Sequence, residues 1–213
     1  MTITQLQYIE EKRLSEFGLN IFFKKVLDSL REELQRLRKT IYEYDKAGEI
    51  FDLNERSWVG VLNNAISRAY PDSSVTLQEY GVYNKSSFVG RADILVFWKD
   101  IGKEPIYLLF EAKSYEETKK SELLNDAGEF LNSVRLQGKK YYDAELETNY
   151  YKDKIVFIIP IAFGLIRRQH YLSEAKKYFN LSHKKDNSTD FCSLYFEGEH
   201  GAWSYGKVYN VRK

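Results

Sequence analysis

The chain has 213 residues, of which 43% are hydrophobic and 30% charged, with a formal net charge of +1. These values are ordinary for a soluble globular protein, and the length suits one domain with a real core plus a helical extension. The near-neutral balance excludes a global basic signature, so any contact with nucleic acid has to come from local patches.

The first residues, Met1 to Leu14, lack the apolar core of a signal peptide, which points to the cytoplasm. From Leu19 to about Ala47 the pattern is helical, with Gly48 as its stop. Leu27, Leu30, Leu34, Leu37, Ile41 and Tyr44 recur at alternating spacings of three and four, a short heptad seam. Two readings of that seam stay open. Either it packs on the rest of the chain, or it serves a homodimer or a partner subunit. Residues 1–48 are accordingly read as an N-terminal helical extension and residues 49–213 as the main domain.

A second helix is expected from Leu53 to Tyr70, ending before Pro71. Asp52 and Glu55 have the N-cap and N3 spacing of a capping box, with Asp in the usual Ser or Thr position. Glu55 also shares a helix face with Val59, Leu62 and Ile66, so its carboxylate can point inward instead. A strand from Val75 to Tyr83 comes next, and two readings of its Glu79 stay open: an acid that reaches the site or, more simply, an exposed strand position.

The stretch from Gly90 to Lys113 carries the chemistry. Ile94, Val96 and Trp98 alternate with Leu95 and Phe97, and Ile106, Leu108 and Phe110 alternate with Tyr107 and Leu109. Strands apolar on both faces are covered on both faces, which places them centrally in a layered α/β domain. A turn centred near Gly102 sets Asp93 opposite Glu111, roughly 5 Å apart at Cβ. Lys113, two residues further along, falls on the same face by alternation. Two adjacent carboxylates at the end of buried strands repel each other and lose hydration, so they call for a cation. Mg²⁺, with Mn²⁺ as a substitute, suits oxygen ligands of this kind. The alternative is an Asp–Lys–Glu ion-pair cluster with a purely structural role.

After Lys113, residues from about Glu117 to Glu145 read as helix, broken near Gly128 or Gly138, with Gln137 and Tyr141 four apart on one face. The apolar strand Lys154–Ile161 follows, and the strand, helix, strand order suggests a right-handed crossover. The apolar run Ile155–Ile166 is too short to cross a membrane and contains Pro160, so it reads as a buried strand and its exit turn. A short helix near Ser173–Phe179, a polar loop from His183 to Asp190, and strands at Phe191–Glu197 and Ala202–Val211 complete the chain. Cys192 is the single cysteine, which excludes an internal disulfide and a cysteine-ligated zinc or iron–sulfur site within one chain.

Gly90-x-x-Asp93, the short hairpin and Glu111-Ala112-Lys113 together resemble the signature of the PD-(D/E)xK nuclease superfamily. The likeness is closest to its RecB-type branch, in which a QxxxY motif follows, here Gln137 to Tyr141. Ala92 stands where a proline is usual. The upstream histidine of that branch is absent, since His170, His183 and His200 all lie downstream, and Glu55 takes its place as a glutamate does in other branches. The resemblance implies a restriction-endonuclease-like α/β core, a central mixed β-sheet flanked by helices, behind the long N-terminal helix. It implies a Mg²⁺-dependent deoxyribonuclease, with Asp93, Glu111, Glu55 and the Ala112 carbonyl as metal ligands, Lys113 as the charge-stabilising group, and Gln137 with Tyr141 positioning the scissile strand. Lys119, Lys139, Lys140, Arg167 and Arg168 are then candidate phosphate contacts, as is Lys120. DNA is the expected substrate, with RNA left open, and no membrane partner is expected. A bacterial antiphage or restriction system is the expected setting. The rival reading is a catalytically silent member of the fold that binds nucleic acid or a protein partner.

Overall fold

The structure, a computed structural model, describes residues 2–44, 53–84, 87–99, 104–115, 154–166, 190–198 and 200–210, with residues 136, 140, 143, 172, 173, 175 and 176. Eight strands form one mixed open sheet in the order β1-β6-β7-β5-β4-β3-β2, with β8 also against β5. The strands are β1 (Thr4–Ile9), β2 (Ser74–Asn84), β3 (Ser87–Trp98), β4 (Ile106–Tyr115), β5 (Ile155–Ile166), β6 (Phe191–Glu197), β7 (His200–Gly206) and β8 (Tyr209–Asn210). The α-helices whose bounds fall in the described residues are the short α1 (Glu11–Leu14), the long α2 (Leu19–Tyr44) and α3 (Glu55–Ala69). Among the described residues, no helix is long and apolar enough to cross a membrane.

The motif hairpin has the register its sequence requires. Ile94 faces Phe110, Val96 faces Leu108 and Trp98 faces Ile106, antiparallel. Both faces are covered over the paired stretches Ile94–Trp98 and Ile106–Phe110, as their unbroken apolar runs demand. On one face Ile94, Val96, Trp98, Leu108 and Phe110 join the largest core cluster, which lies beneath α2 and α3. On the other, Leu95, Tyr107 and Leu109 pack with Val156 and Ile158 of β5.

β5 lies parallel to β4, so a crossover connects them. It runs on to Ile166, past the end expected at Ile161. The reason is the place of the proline. β5 pairs with β8 at Phe157 and Ile158 and with β7 from Ile161 onward, so the missing N–H of Pro160 falls where its neighbour changes. The carbonyl of Pro160 accepts the N–H of Lys207 at 3.2 Å, which bridges the same gap. The same break divides the C-terminal strand expected at Ala202–Val211 into β7 and β8. Opposite Gly164, Trp203 lies flat on β5, where a Cβ would stand 2.0 Å from its ring. Leu172 and Ala175 are helical and pack with Trp203 and Tyr205, in line with the short helix expected there.

Over its described residues, 2–44, the expected N-terminal extension does not stand apart from the main domain. β1 pairs with β6 in the sheet, and Leu19, Phe22, Phe23, Val26, Leu27, Leu30 and Leu34 of α2 belong to the main core. Leu37 and Ile41 pack against that core as well. From Leu27 to Ile41 the heptad seam therefore packs, wholly or in part, within the chain. A stripe that covers a sheet and a stripe that covers a second helix have the same spacing, which is why the sequence left both open. The stop expected at Gly48 lies outside the described residues.

Candidate active site at the end of the central strands

Glu55 opens α3 and owes its position to a cap the sequence reading misplaced. Asn54 is the N-cap, its side-chain oxygen accepting the Ser57 N–H at 2.9 Å. Glu55 is thus the first helical residue, not the third of a capping box, and Asp52 lies outside the described residues. Freed from capping, the Glu55 carboxylate reaches β4. Its Oε2 accepts the Ser114 N–H at 3.4 Å and stands 3.2 Å from the Lys113 Nζ. One turn further along α3, the buried Trp58 stacks on Phe163, the β5 neighbour of Ser114, which seats the helix against this end of the sheet.

Asp93 departs from simple alternation. In register it falls opposite Glu79 on β2, yet the pairs on either side, Gln78 with Ile94 and Tyr80 with Ala92, are formed while this one is skipped. Glu79 has a φ of 48°, in the left-handed region, at a cost of about 1–3 kcal/mol. The two strands exchange faces there. Ala92 belongs to the same cluster as Leu95, although strict alternation would put them on opposite faces, and Tyr80 packs with them. On the β4 side the ladder starts only at Ile94 and Phe110. Asp93 instead turns its carboxylate to β4, where Oδ2 accepts the Ala112 N–H at 2.6 Å.

Glu111 is 7% exposed, and its Oε1 is buried without a hydrogen-bond partner. Burial, then the charges of Asp93 and Glu55, push its carboxyl up to about 9. Asp93 is half-buried and is also raised, by burial first and then by Glu55 and Glu79. The Ala112 N–H and Lys113 oppose that shift. One acidic pair is thus destabilised in its charged form, and an added cation is what reverses such a shift.

The structure brings together Asp93, Glu111, Ala112, Lys113 and Glu55, all five named from the sequence. It joins Glu55 to Lys113, whereas Asp93 bonds Ala112. Among the described residues, no group of three or more His, Cys, Asp or Glu side chains is arranged to hold a metal. Gln137, Tyr141, Lys119, Lys120, Lys139, Arg167 and Arg168 lie outside the described residues. Lys140 is helical and exposed. Sequence reasoning passed over Arg91, whose Nη1 bonds Glu79 Oε2 at 3.0 Å. Its place inside the Gly90 to Asp93 motif was the available signal. No protein-family model matches the chain, and no curated protein or solved structure matches it.

Proposed function

We propose that the chain is a divalent-cation-dependent phosphodiesterase of the restriction-endonuclease-like fold that acts on DNA. The observation that carries this reading is the buried carboxylate of Glu111, with one oxygen unpartnered, beside the half-buried Asp93. A carboxylate buried for structure alone is expected to have its oxygens satisfied by donors. The placement of the pair on neighbouring strands, with α3 before them and a parallel strand after, supports the fold assignment.

The donor set fits a hard cation. Mg²⁺ takes one or two carboxylates and fills its remaining positions with water and phosphate oxygens. Asp93 and Glu111 would hold it, with Glu55 close enough to influence both and the Ala112 carbonyl as a further oxygen. Such an ion, when bound, supplies Lewis acidity toward the phosphate and makes water more acidic.

The chain's own residues have separate tasks. The Ala112 N–H fixes one oxygen of Asp93 and so orients the other. Burial of Glu111 lowers the local dielectric and strengthens every charge interaction there. Glu55 holds Lys113 beside the strand end. The ammonium then offsets negative charge on the phosphate oxygens as water's oxygen bonds to phosphorus and the leaving oxygen departs.

The test is cleavage of circular and linear DNA, single- and double-stranded, with Mg²⁺ or Mn²⁺. Metal-dependent cutting is expected from the wild type and is lost in Asp93→Ala and Lys113→Ala, the latter still binding metal. Cutting of circles would identify endonucleolytic action. Undiminished cutting by Asp93→Ala would overturn the assignment.

A further inference from the structure

Glu79 is the one non-glycine residue with a left-handed backbone among the described residues. It falls in register with Asp93, and its carboxylate takes a hydrogen bond from Arg91 at 3.0 Å. Both side chains are exposed, at 61% for Arg91 and 60% for Glu79. An ion pair that open to water adds little to stability. It does not explain why a strained position carries glutamate when glycine would sit there without cost.

What the pair does is place a guanidinium two residues from Asp93, at the rim of an acid-rich site. Glu79 adds to the negative field on Asp93, and its bond to Arg91 keeps the guanidinium close to that carboxylate. Asp93, Glu111, Glu55 and Glu79 concentrate negative charge, and a phosphodiester is itself an anion. Among the described residues, Lys113 and Arg91 are the cations ion-paired with these carboxylates. The planar fork of arginine matches two phosphate oxygens at once.

We infer that Arg91 contacts the phosphate backbone of a DNA substrate and that Glu79 is the positioning residue holding its guanidinium at the rim. The inference rests on the phosphodiesterase reading and adds a contact that acts on affinity more than on bond breaking.

The experiment is binding of a short fluorescein-labelled single-stranded DNA, read by anisotropy with Ca²⁺ in place of Mg²⁺, beside steady-state cleavage with Mg²⁺. Arg91→Ala is expected to weaken binding about tenfold and to raise KM likewise, with kcat nearly unchanged. It should also lower the salt dependence of binding by about one phosphate contact. Arg91→Lys should recover part of the affinity. Glu79→Gln should show a smaller loss of the same kind. Glu79→Gly, which accepts the left-handed backbone, should keep or raise the melting temperature yet lose affinity as Glu79→Gln does.

Wild-type affinity and salt dependence in Arg91→Ala would overturn the inference, and wild-type affinity in Glu79→Gly would remove the role of Glu79. Arg91-dependent binding by a wild type that never cleaves leaves the inference standing and removes the phosphodiesterase. Cleavage by the wild type that Arg91→Ala matches in KM does the reverse. A wild type that neither binds nor cleaves DNA contradicts both.

Discussion

Among the described residues two glutamates are buried, and they sit in opposite electrostatic settings. Glu33 on α2 is 1% exposed and is met from two helices. Arg36 donates at 2.6 and 3.1 Å, Arg68 at 2.8 Å and Asn64 at 3.3 Å. Bonding to Arg36 above all holds its carboxyl below the usual range. Glu111 is nearly as buried, but one oxygen has no donor and its charged neighbours are Asp93 and Glu55. The two carboxylates shift in opposite directions because donors meet one and acids surround the other. The fold completes one carboxylate and leaves the other for something to complete. That contrast separates a structural ion pair from a candidate ligand site more sharply than burial or motif alone.

The largest expected effect comes from exchanging the charge at each site. Glu111→Gln should lower DNA cleavage by at least about a hundredfold, because it removes a cation ligand, while the melting temperature stays level or rises. Glu33→Gln should leave cleavage per folded molecule unchanged and cost about 2 kcal/mol in denaturant unfolding, because Arg36 and Arg68 lose their acceptor. A Glu33→Gln protein that folds normally yet cannot cleave would erase the distinction.

A smaller effect with the same logic is the pH dependence of stability without divalent ions. The folded state binds the Glu111 proton more tightly than the unfolded chain does. The contribution of Glu111 is thus fully present below about 4.5 and is lost as pH rises toward about 9. Glu33 runs the other way. Its contribution is present above the ordinary glutamate range and is lost as pH falls through its lowered value. Thermal melts in a chelator should show Glu111→Gln gaining on the wild type as pH rises from 5 to 9, and Glu33→Gln closing on it as pH falls below 4. A pH-independent gap in the first series would contradict the burial of a protonated Glu111.

The register of the motif hairpin was legible because hairpins obey simple geometry. A turn expected near Gly102 sets which residues face each other, and the paired strands keep that register from Ile94 to Trp98. Apolar residues on both faces fixed the central place of β3 and β4. The face exchange at Glu79 and Asp93 was hidden, because alternation assumes extended backbone and nothing about a glutamate announces a left-handed φ. The Asn54 cap was hidden for a different reason. Asp52 and Asn54 are both good N-caps, and only the tertiary pull of Ser114 and Lys113 on Glu55 favours the later start. β1 escaped because Gln5 and Gln7 dilute a short alternating pattern that gains its stability from β6. The seam of α2 was visible as a stripe, but spacing alone does not say what covers it.

The most direct test of the central claim is Mn²⁺ binding by titration calorimetry near neutral pH, run in two buffers of different ionisation enthalpy, for the wild type and Glu111→Gln. The protonated Glu111 has to lose its proton to become a ligand, so wild-type binding should release about one proton. Glu111→Gln should show neither the binding nor the release. Equal Mn²⁺ affinity in the two proteins, or no Mn²⁺ binding by the wild type at millimolar concentration, would contradict a cation site on Glu111.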